Sequence, residues 1–347
     1  MTKITWVLCV AALFFGGCAA RQLRLKMHAT SVQKPGNVVV FFSVEDWAGH
    51  PVGALAAEQF RIYEDAQIVS PYESKQTILN PEVAISHHAL LLLDLSGSIT
   101  ETGSTKELIK ASSFFVDRLT QSSQTEVAIF GFDGAKDLHQ ISPFTKNANA
   151  AKAALARLAD FKARDPSTNL HGAVVQGLAL LEEKVSHATL PIRFSTLVIF
   201  TDGTDRAHRI SEQEVDAALK SAEVDVFAVG LGSEAEISAE QLSWLGAAGY
   251  VRASDQLSLS DAFRTIAEQI DGASQKFYIL SYCSPSRAGV HRLEVEAMSS
   301  ERSGSFSYEF DANDFGPACD PNRKPTFSIE RILLQQRDSA SPTPPGV

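Results

Sequence analysis

Residues 89–98 of the chain read ALLLLDLSGS, an apolar run that ends abruptly in polar residues. The unbroken apolar run from Ala89 to Leu93 predicts a strand that is covered on both faces, as strands of parallel sheets are. In open α/β sheets, ligands bind beyond the carboxyl ends of the strands. Because Asp94, Ser96 and Ser98 follow this strand directly, we expect a binding site at its end.

A second apolar run, TLVIF from Thr196 to Phe200, also ends in a carboxylate, Asp202. Between the two strands lies the polar loop Ser167-Thr168-Asn169, which precedes a predicted helix. Strand patterns and helix patterns alternate over residues 86–273, which predicts a doubly wound, mostly parallel sheet with helices on both faces. The fold class is therefore α/β for this part of the chain.

The polar residues at these strand ends are oxygen donors, which suit a hard divalent cation. Carboxylate and hydroxyl oxygens are the ligands that Mg²⁺ takes in proteins, and Mn²⁺ and Ca²⁺ share them. Only two of the five donors are carboxylates. A cation held by this set keeps positive character and an open position, so we expect it to accept an acidic group from a partner.

These residues also carry a resemblance. Asp94, Ser96, Ser98, Thr168 and Asp202 resemble, in order, the metal-ion-dependent adhesion site of the von Willebrand factor A domain family, and the likeness covers residues 86–273. The resemblance implies that Ser96 and Ser98 bind the metal directly and that Asp94 acts largely through water. It implies that Thr168 and Asp202 exchange between direct and water-mediated contact. It further implies a protein partner that offers a carboxylate, and no catalytic role.

The flanking segments return to strand patterns. An amino-terminal β module is predicted for residues 36–85, and further strands are predicted within residues 274–322. We expect the two segments to pack together as one small sandwich, so that the α/β domain is an insertion between its halves. The remaining residues 323–347 form a tail whose Pro- and Ser-rich end predicts disorder.

The first residues predict export. Lys3 precedes an apolar run from Ile4 to Phe15, which is too short to span a bilayer permanently and is typical of a signal peptide. Phe15-Gly16-Gly17-Cys18 resembles a bacterial lipoprotein lipobox. We therefore expect a signal peptide at residues 1–17, a lipid on Cys18 and a linker over residues 18–35. The expected location is the bacterial cell envelope, on the outer membrane facing the periplasm or at the cell surface, with membrane contact through the lipid alone.

Cysteine usage agrees with an oxidising compartment. Of the four cysteines, Cys9 leaves with the signal peptide and Cys18 carries the lipid. The remaining pair, Cys283 and Cys319, is predicted to form a disulfide, with two free buried thiols as the alternative.

Composition and motifs also bear on other classes of function. A formal net charge of −10 over 347 residues disfavours nucleic acid as a partner. A scaffolding role in an envelope complex, with a non-essential metal, stays open. A Mg²⁺-dependent phosphatase with Asp94 as its nucleophile is disfavoured, because such enzymes need a second aspartate where Ser96 stands. His87 and His88 are expected in a loop or at a sheet edge.

Overall fold

The computed structural model describes residues 22–79, 84–101, 103–121, 124–233, 235–237 and 239–327. The predicted signal peptide and Cys18 lie outside the described residues, as does the end of the tail. Within the described part of the chain, no helix is both long enough and apolar enough to cross a bilayer.

Strands and helices follow one another along the chain as the sequence patterns predict. The strands are β1 Leu23–Gln33, β2 Asn37–Asp46, β3 Phe60–Glu64, β4 Gln67–Val69, β5 Thr77–Ile78, β6 Ile85–Asp94, β7 Thr125–Phe132, β8 His139–Thr145, β9 Ile192–Thr201, β10 Asp225–Leu231, β11 Gly249–Ala253, β12 Phe277–Cys283, β13 Val290–Ser299 and β14 Arg302–Asp311. The helices are α1 Gly97–Thr100, α2 Thr105–Leu119, α3 Ala148–Ala156, α4 Leu170–Ser186, α5 Glu212–Ser221, α6 Ala239–Leu245 and α7 Leu259–Gln275.

The central sheet has six strands in the order β11-β10-β9-β6-β7-β8. All neighbours pair in parallel except β7 and β8, which are antiparallel. On one face, Leu91 and Leu93 of β6 join a core with α2 and α7, and on the other, Leu90 and Leu92 join a core with α4 and α5. The predicted doubly wound α/β sheet is confirmed, and β6 lies in its middle, where both of its faces are covered.

The flanking strands form two four-stranded sheets, β1-β2-β12-β5 and β14-β13-β3-β4. Each sheet combines strands from before and after the α/β domain, and the inner faces share one core that includes Phe42, Phe60 and Tyr282. The predicted sandwich, built from the two ends of the chain around an inserted domain, is confirmed. The opposite face of β2, with Val39 and Phe41, packs against Ile85 and Ile192 of the central sheet's strands.

Two expectations about local structure were wrong. The linker predicted for residues 18–35 contains β1, which pairs antiparallel with β2 along its whole length. β1 contains a β-bulge, with a register shift between Met27 and Ala29, so that Met27 packs against the sandwich core and Ala29 packs on the opposite face of the sheet. His87 and His88 lie inside β6, which is hydrogen-bonded to β7 and β9, and not in a loop or at an edge.

The predicted disulfide is present. Cys283, at the end of β12, is bonded to Cys319 in the segment after β14, 36 residues later. The bond ties this last described segment to the central strand pair of the first sandwich sheet.

Candidate metal centre

Asp94 is the last residue of β6, and its side chain is fully buried. One carboxylate oxygen accepts a hydrogen bond from the Ser96 backbone N–H at 3.0 Å, and the other accepts one from the Thr201 hydroxyl at 2.9 Å. Burial and the neighbouring Asp202 raise the pKa of Asp94 to about 7. The site therefore holds a carboxylate whose negative charge is costly without a nearby cation.

Ser96, Ser98 and Asp202 continue from Asp94 as a connected group. The hydroxyl oxygens of Ser96 and Ser98 lie 3.1 Å apart. Burial raises the pKa of Asp202, and a hydrogen bond from the Ser98 side chain opposes this rise. The structure thus brings together the strand ends of β6 and β9, which adjoin each other in the sheet, and with them four of the five predicted donors.

Thr168 is buried, and its loop is tied to both strand ends through the backbone. Its carbonyl oxygen accepts hydrogen bonds from the N–H groups of Arg206 at 2.9 Å and Ala207 at 3.0 Å. On the other side, the Gly97 N–H donates to the Pro166 carbonyl at 2.9 Å. The loop that carries the fifth predicted donor is therefore fixed between the segments that carry Ser96 and Asp202.

Asp133, just beyond β7, supports this loop in a way that the sequence did not reveal. Turn chemistry explains only its bond from the Ala135 N–H, at 2.8 Å. Its other carboxylate oxygen accepts from the Arg164 N–H at 2.7 Å and lies 3.1 Å from His139 Nε2. In the sequence, the sign that Asp133 matters is a carboxylate directly after an apolar strand. The sequence does not indicate its contact with Arg164, because the two residues lie far apart in the chain.

Asp205 has a comparable role on the other side of the site. Its carboxylate accepts hydrogen bonds from the N–H of His171, in the first turn of α4, and from the N–H of His208. This buried aspartate therefore fixes the start of α4 against the loop that follows β9.

The donor set fits a hard, oxygen-seeking cation. The buried Asp94 and the half-buried Asp202, both with raised pKa values, lie beside hydroxyl groups, and a divalent cation would stabilise the charged form of both. Within the described ranges, no cluster of three or more His, Cys, Asp or Glu side chains is arranged to hold a metal. A metal here would thus depend on hydroxyl oxygens as well as carboxylates, which suits Mg²⁺ better than it suits cations that prefer nitrogen or sulfur.

Known structures with a similar fold come from animals and bacteria. Proximal thread matrix protein 1 from the mussel byssus is 15% identical, with a TM-score of 0.45, and the match covers 54% of this chain and 48% of that protein. This chain thus spans about half the length of the mussel protein. Another structure of that protein, described as having a zinc occupied MIDAS motif, matches at 15% identity, a TM-score of 0.44 and the same coverage of 54% and 48%.

A bacterial structure completes the comparison. The von Willebrand domain of the type V pili tip protein Mfa5 from Porphyromonas gingivalis is 12% identical, with a TM-score of 0.42, and the match covers 54% of this chain and 96% of that one. No curated protein matches the chain in sequence.

The family model for the von Willebrand factor type A domain matches residues 90–265, which is half of the 347-residue chain. The matched range begins within β6 and ends within α7, so it takes in all five predicted donors. The chain belongs to the von Willebrand factor type A domain family.

Proposed function

We propose that this chain is an exported, lipid-anchored binding protein that holds a divalent cation, Mg²⁺ foremost, and binds a carboxylate of a protein partner through it. The observation that carries the proposal is the arrangement at the ends of β6 and β9. There, the buried Asp94 and the half-buried Asp202 are linked through the hydroxyls of Ser96 and Ser98.

Each predicted donor has a place in this proposal. Ser96, Ser98 and Thr168 offer neutral oxygens, and Asp94 and Asp202 offer the negative charge that retains the cation. The cation supplies positive charge at the surface of the site. Two carboxylates do not exceed the charge of a divalent cation, so the open coordination position of the cation can still accept a third carboxylate from a partner. Arg206, whose charge lowers the pKa of Asp202, adds positive charge that attracts such a carboxylate.

A nucleophilic role for Asp94 has weaker support. Both of its carboxylate oxygens accept hydrogen bonds within the protein, from Ser96 and from Thr201. The side chain is fully buried, whereas a nucleophile has to reach a substrate. These contacts favour a carboxylate that supports a cation site.

Binding of an acidic peptide tests the proposed function. The full-length chain is immobilised, and a peptide with one central glutamate is titrated over it in Mg²⁺ and in EDTA, beside the same peptide with glutamine. We expect saturable binding of the glutamate peptide in Mg²⁺ alone. The Ser96→Ala variant should bind at least about tenfold more weakly, since it removes an oxygen donor. Asp137→Ala changes an exposed loop residue and is the matched control, which should bind the peptide as wild type does.

Equal binding in Mg²⁺ and EDTA, or equal binding of the two peptides, contradicts the proposal. A scaffolding role then becomes the better account of the domain.

The lipid anchor is tested separately, because it lies outside the described residues. Cells that produce the chain are grown with radiolabelled palmitate, and the protein is isolated. Wild type and Cys9→Ser should carry the label, since Cys9 is removed with the signal peptide, while Cys18→Ser should not. Label on the Cys18→Ser protein contradicts lipidation at this residue.

A further inference from the structure

A cavity lies at the end of β6 that is opposite to Asp94. It has a volume of about 570 Å³ and is lined by the amino-terminal parts of β6 and β7 and by residues at the carboxyl end of α4. Its polar lining includes Ser86, His88, Glu126, Lys146 and Lys184. The volume lies within the range of small-molecule pockets in proteins. None of these residues belongs to the candidate metal centre.

Two side chains of β6 that line this cavity carry buried polar atoms. Among the described residues, neither the Ser86 hydroxyl nor His88 Nε2 has a hydrogen-bond partner. They are two positions apart in a strand and therefore lie on the same face. The His88 side chain is only 6% exposed. Buried polar atoms without partners are costly, and a bound group that pairs with both of them removes this cost.

The histidine ring is held in place by its neighbours. It packs edge-on against Phe144, with ring centroids 6.0 Å apart. Its Nδ1 lies 3.3 Å from Glu126 Oε2 without hydrogen-bond geometry. The ring is thus fixed at one side, while its Nε2 has no partner in the part of the chain that the structure describes.

The charge of the cavity favours an anion. Lys184 Nζ lies 2.9 Å from Glu126 Oε2, so the one carboxylate among these residues is already paired. Lys146 is exposed at the rim, and its charge lowers the pKa values of both His88 and Glu126. Two lysines therefore face one glutamate, which leaves a net positive charge. A bound anion would compensate this charge.

The chemistry of these groups distinguishes between ligand classes. No three His, Cys, Asp or Glu side chains in the described segments form a metal cluster, which disfavours a second cation. A phosphate group offers several acceptor oxygens and up to two negative charges, matching two ammonium groups and a hydroxyl that lie around one cavity.

We propose that this cavity binds the phosphate group of a small molecule, with Lys146, Lys184, Ser86 and His88 as its partners. The volume of about 570 Å³ leaves room for an organic part beside the phosphate. This site is independent of the candidate metal centre and of the function proposed for it.

Calorimetric titration of the full-length chain tests the proposal. Inorganic phosphate and glycerol 3-phosphate are titrated in EDTA, so that no cation at the metal centre can bind them, against sodium chloride of equal ionic strength. We expect saturable binding of phosphate, and tighter binding of glycerol 3-phosphate where the physiological ligand is an ester. Equal affinities identify the free ion as the ligand.

Variants locate the binding. Lys184→Met should weaken it by about tenfold or more through the loss of a charged donor, and Ser86→Ala should weaken it by a smaller factor. Lys106→Met, at an exposed lysine of α2, and Asp94→Ala should bind as wild type does. Circular dichroism checks that each variant is folded. The proposal is overturned if neither ligand gives saturable heat, or if Lys184→Met and Ser86→Ala both bind as wild type does, since phosphate then binds elsewhere.

Discussion

Asp94 and Asp202 are neighbouring carboxylates, and the fold shields both of them from water to different degrees. Burial and mutual repulsion raise the pKa of Asp94 to about 7, although a backbone N–H and the Thr201 hydroxyl donate to it. The hydrogen bonds within the protein therefore do not fully compensate the negative charge of the Asp94 carboxylate. The nearby hydroxyls of Ser96 and Ser98 are short, uncharged donors, so a divalent cation is the group that best completes the arrangement.

Asp133 provides a test of positioning, because it is not one of the proposed metal donors. Replacing it with Ala removes the hydrogen bond that fixes the Arg164 N–H and loosens the loop that carries Thr168. We expect Asp133→Ala to weaken Mg²⁺ binding by about tenfold, as loss of outer contacts does at metal sites. Titration of Mg²⁺ followed by the melting temperature measures this change. Asp137→Ala serves as the control, and equal affinities for Asp133→Ala and wild type would contradict the assignment.

His87 predicts how stability depends on pH. Burial, followed by the charge of His88, lowers the pKa of His87 from 6.5 to about 4. Because its pKa is lower in the folded protein, the unfolded chain binds more protons between these values. The stabilisation is full above pH 6.5 and is lost as pH falls toward 4, by about 3 kcal/mol.

Urea unfolding at pH 7 and pH 5 measures this loss. His87→Gln, which cannot titrate, should lose less stability than wild type over this interval. His187→Gln, at an exposed histidine, should lose as much as wild type. An unchanged pH dependence in His87→Gln would show that His87 is not responsible.

At the scale of single elements, β6 connects the core to the site. Leu91 is fully buried between β6 and the helices on one face of the sheet. Leu91→Ala should lower the free energy of unfolding by about 2–5 kcal/mol, through lost burial and the cavity left behind. Ile68→Ala, at a side chain that is 62% exposed, should change it by about 0.5 kcal/mol or less. Urea unfolding of the two variants compares them directly, and similar losses would contradict the central position of β6.

The elements differ in how far the sequence predicts them. β6 and β9 are predictable because an unbroken apolar run followed by a carboxylate describes both the buried strand and its functional end. β1 was assigned to the linker that follows the predicted lipid anchor, although apolar and polar residues alternate from Leu23 to Thr30 and this pattern itself predicts a strand. The proposed donors are predictable since each follows a strand or precedes a helix. The contact of Asp133 with residue 164 requires the folded chain, because it joins separate loops.

At the scale of the whole molecule, the sandwich is completed by both ends of the described chain. β2 pairs with β1 on one side and with β12, which follows the inserted domain, on the other. The bond between Cys283 and Cys319 then holds the last segment to this sheet. The inserted domain is thereby connected at both its ends to one β module.

The disulfide should contribute measurably to this assembly. It closes a loop of 36 residues, for which chain entropy predicts a stabilisation of about 3–4 kcal/mol. The double variant Cys283→Ser, Cys319→Ser should lose about this amount in urea unfolding under non-reducing conditions. Asn322→Ala, at an exposed residue near Cys319, controls for local disturbance. A double variant as stable as wild type would show that the segment is held without the bond.

The central claim is that the strand-end site binds a divalent cation, and a thermal melt tests it most directly. Wild type and Asp94→Ala are melted in EDTA and in millimolar Mg²⁺, Mn²⁺ and Ca²⁺. A cation that binds only the folded state raises the melting temperature by mass action. We expect wild type to melt at a higher temperature with Mg²⁺ than with EDTA, and Asp94→Ala to show no such difference. Equal melting temperatures for wild type in all four conditions, or an equal rise in the variant, would contradict the claim.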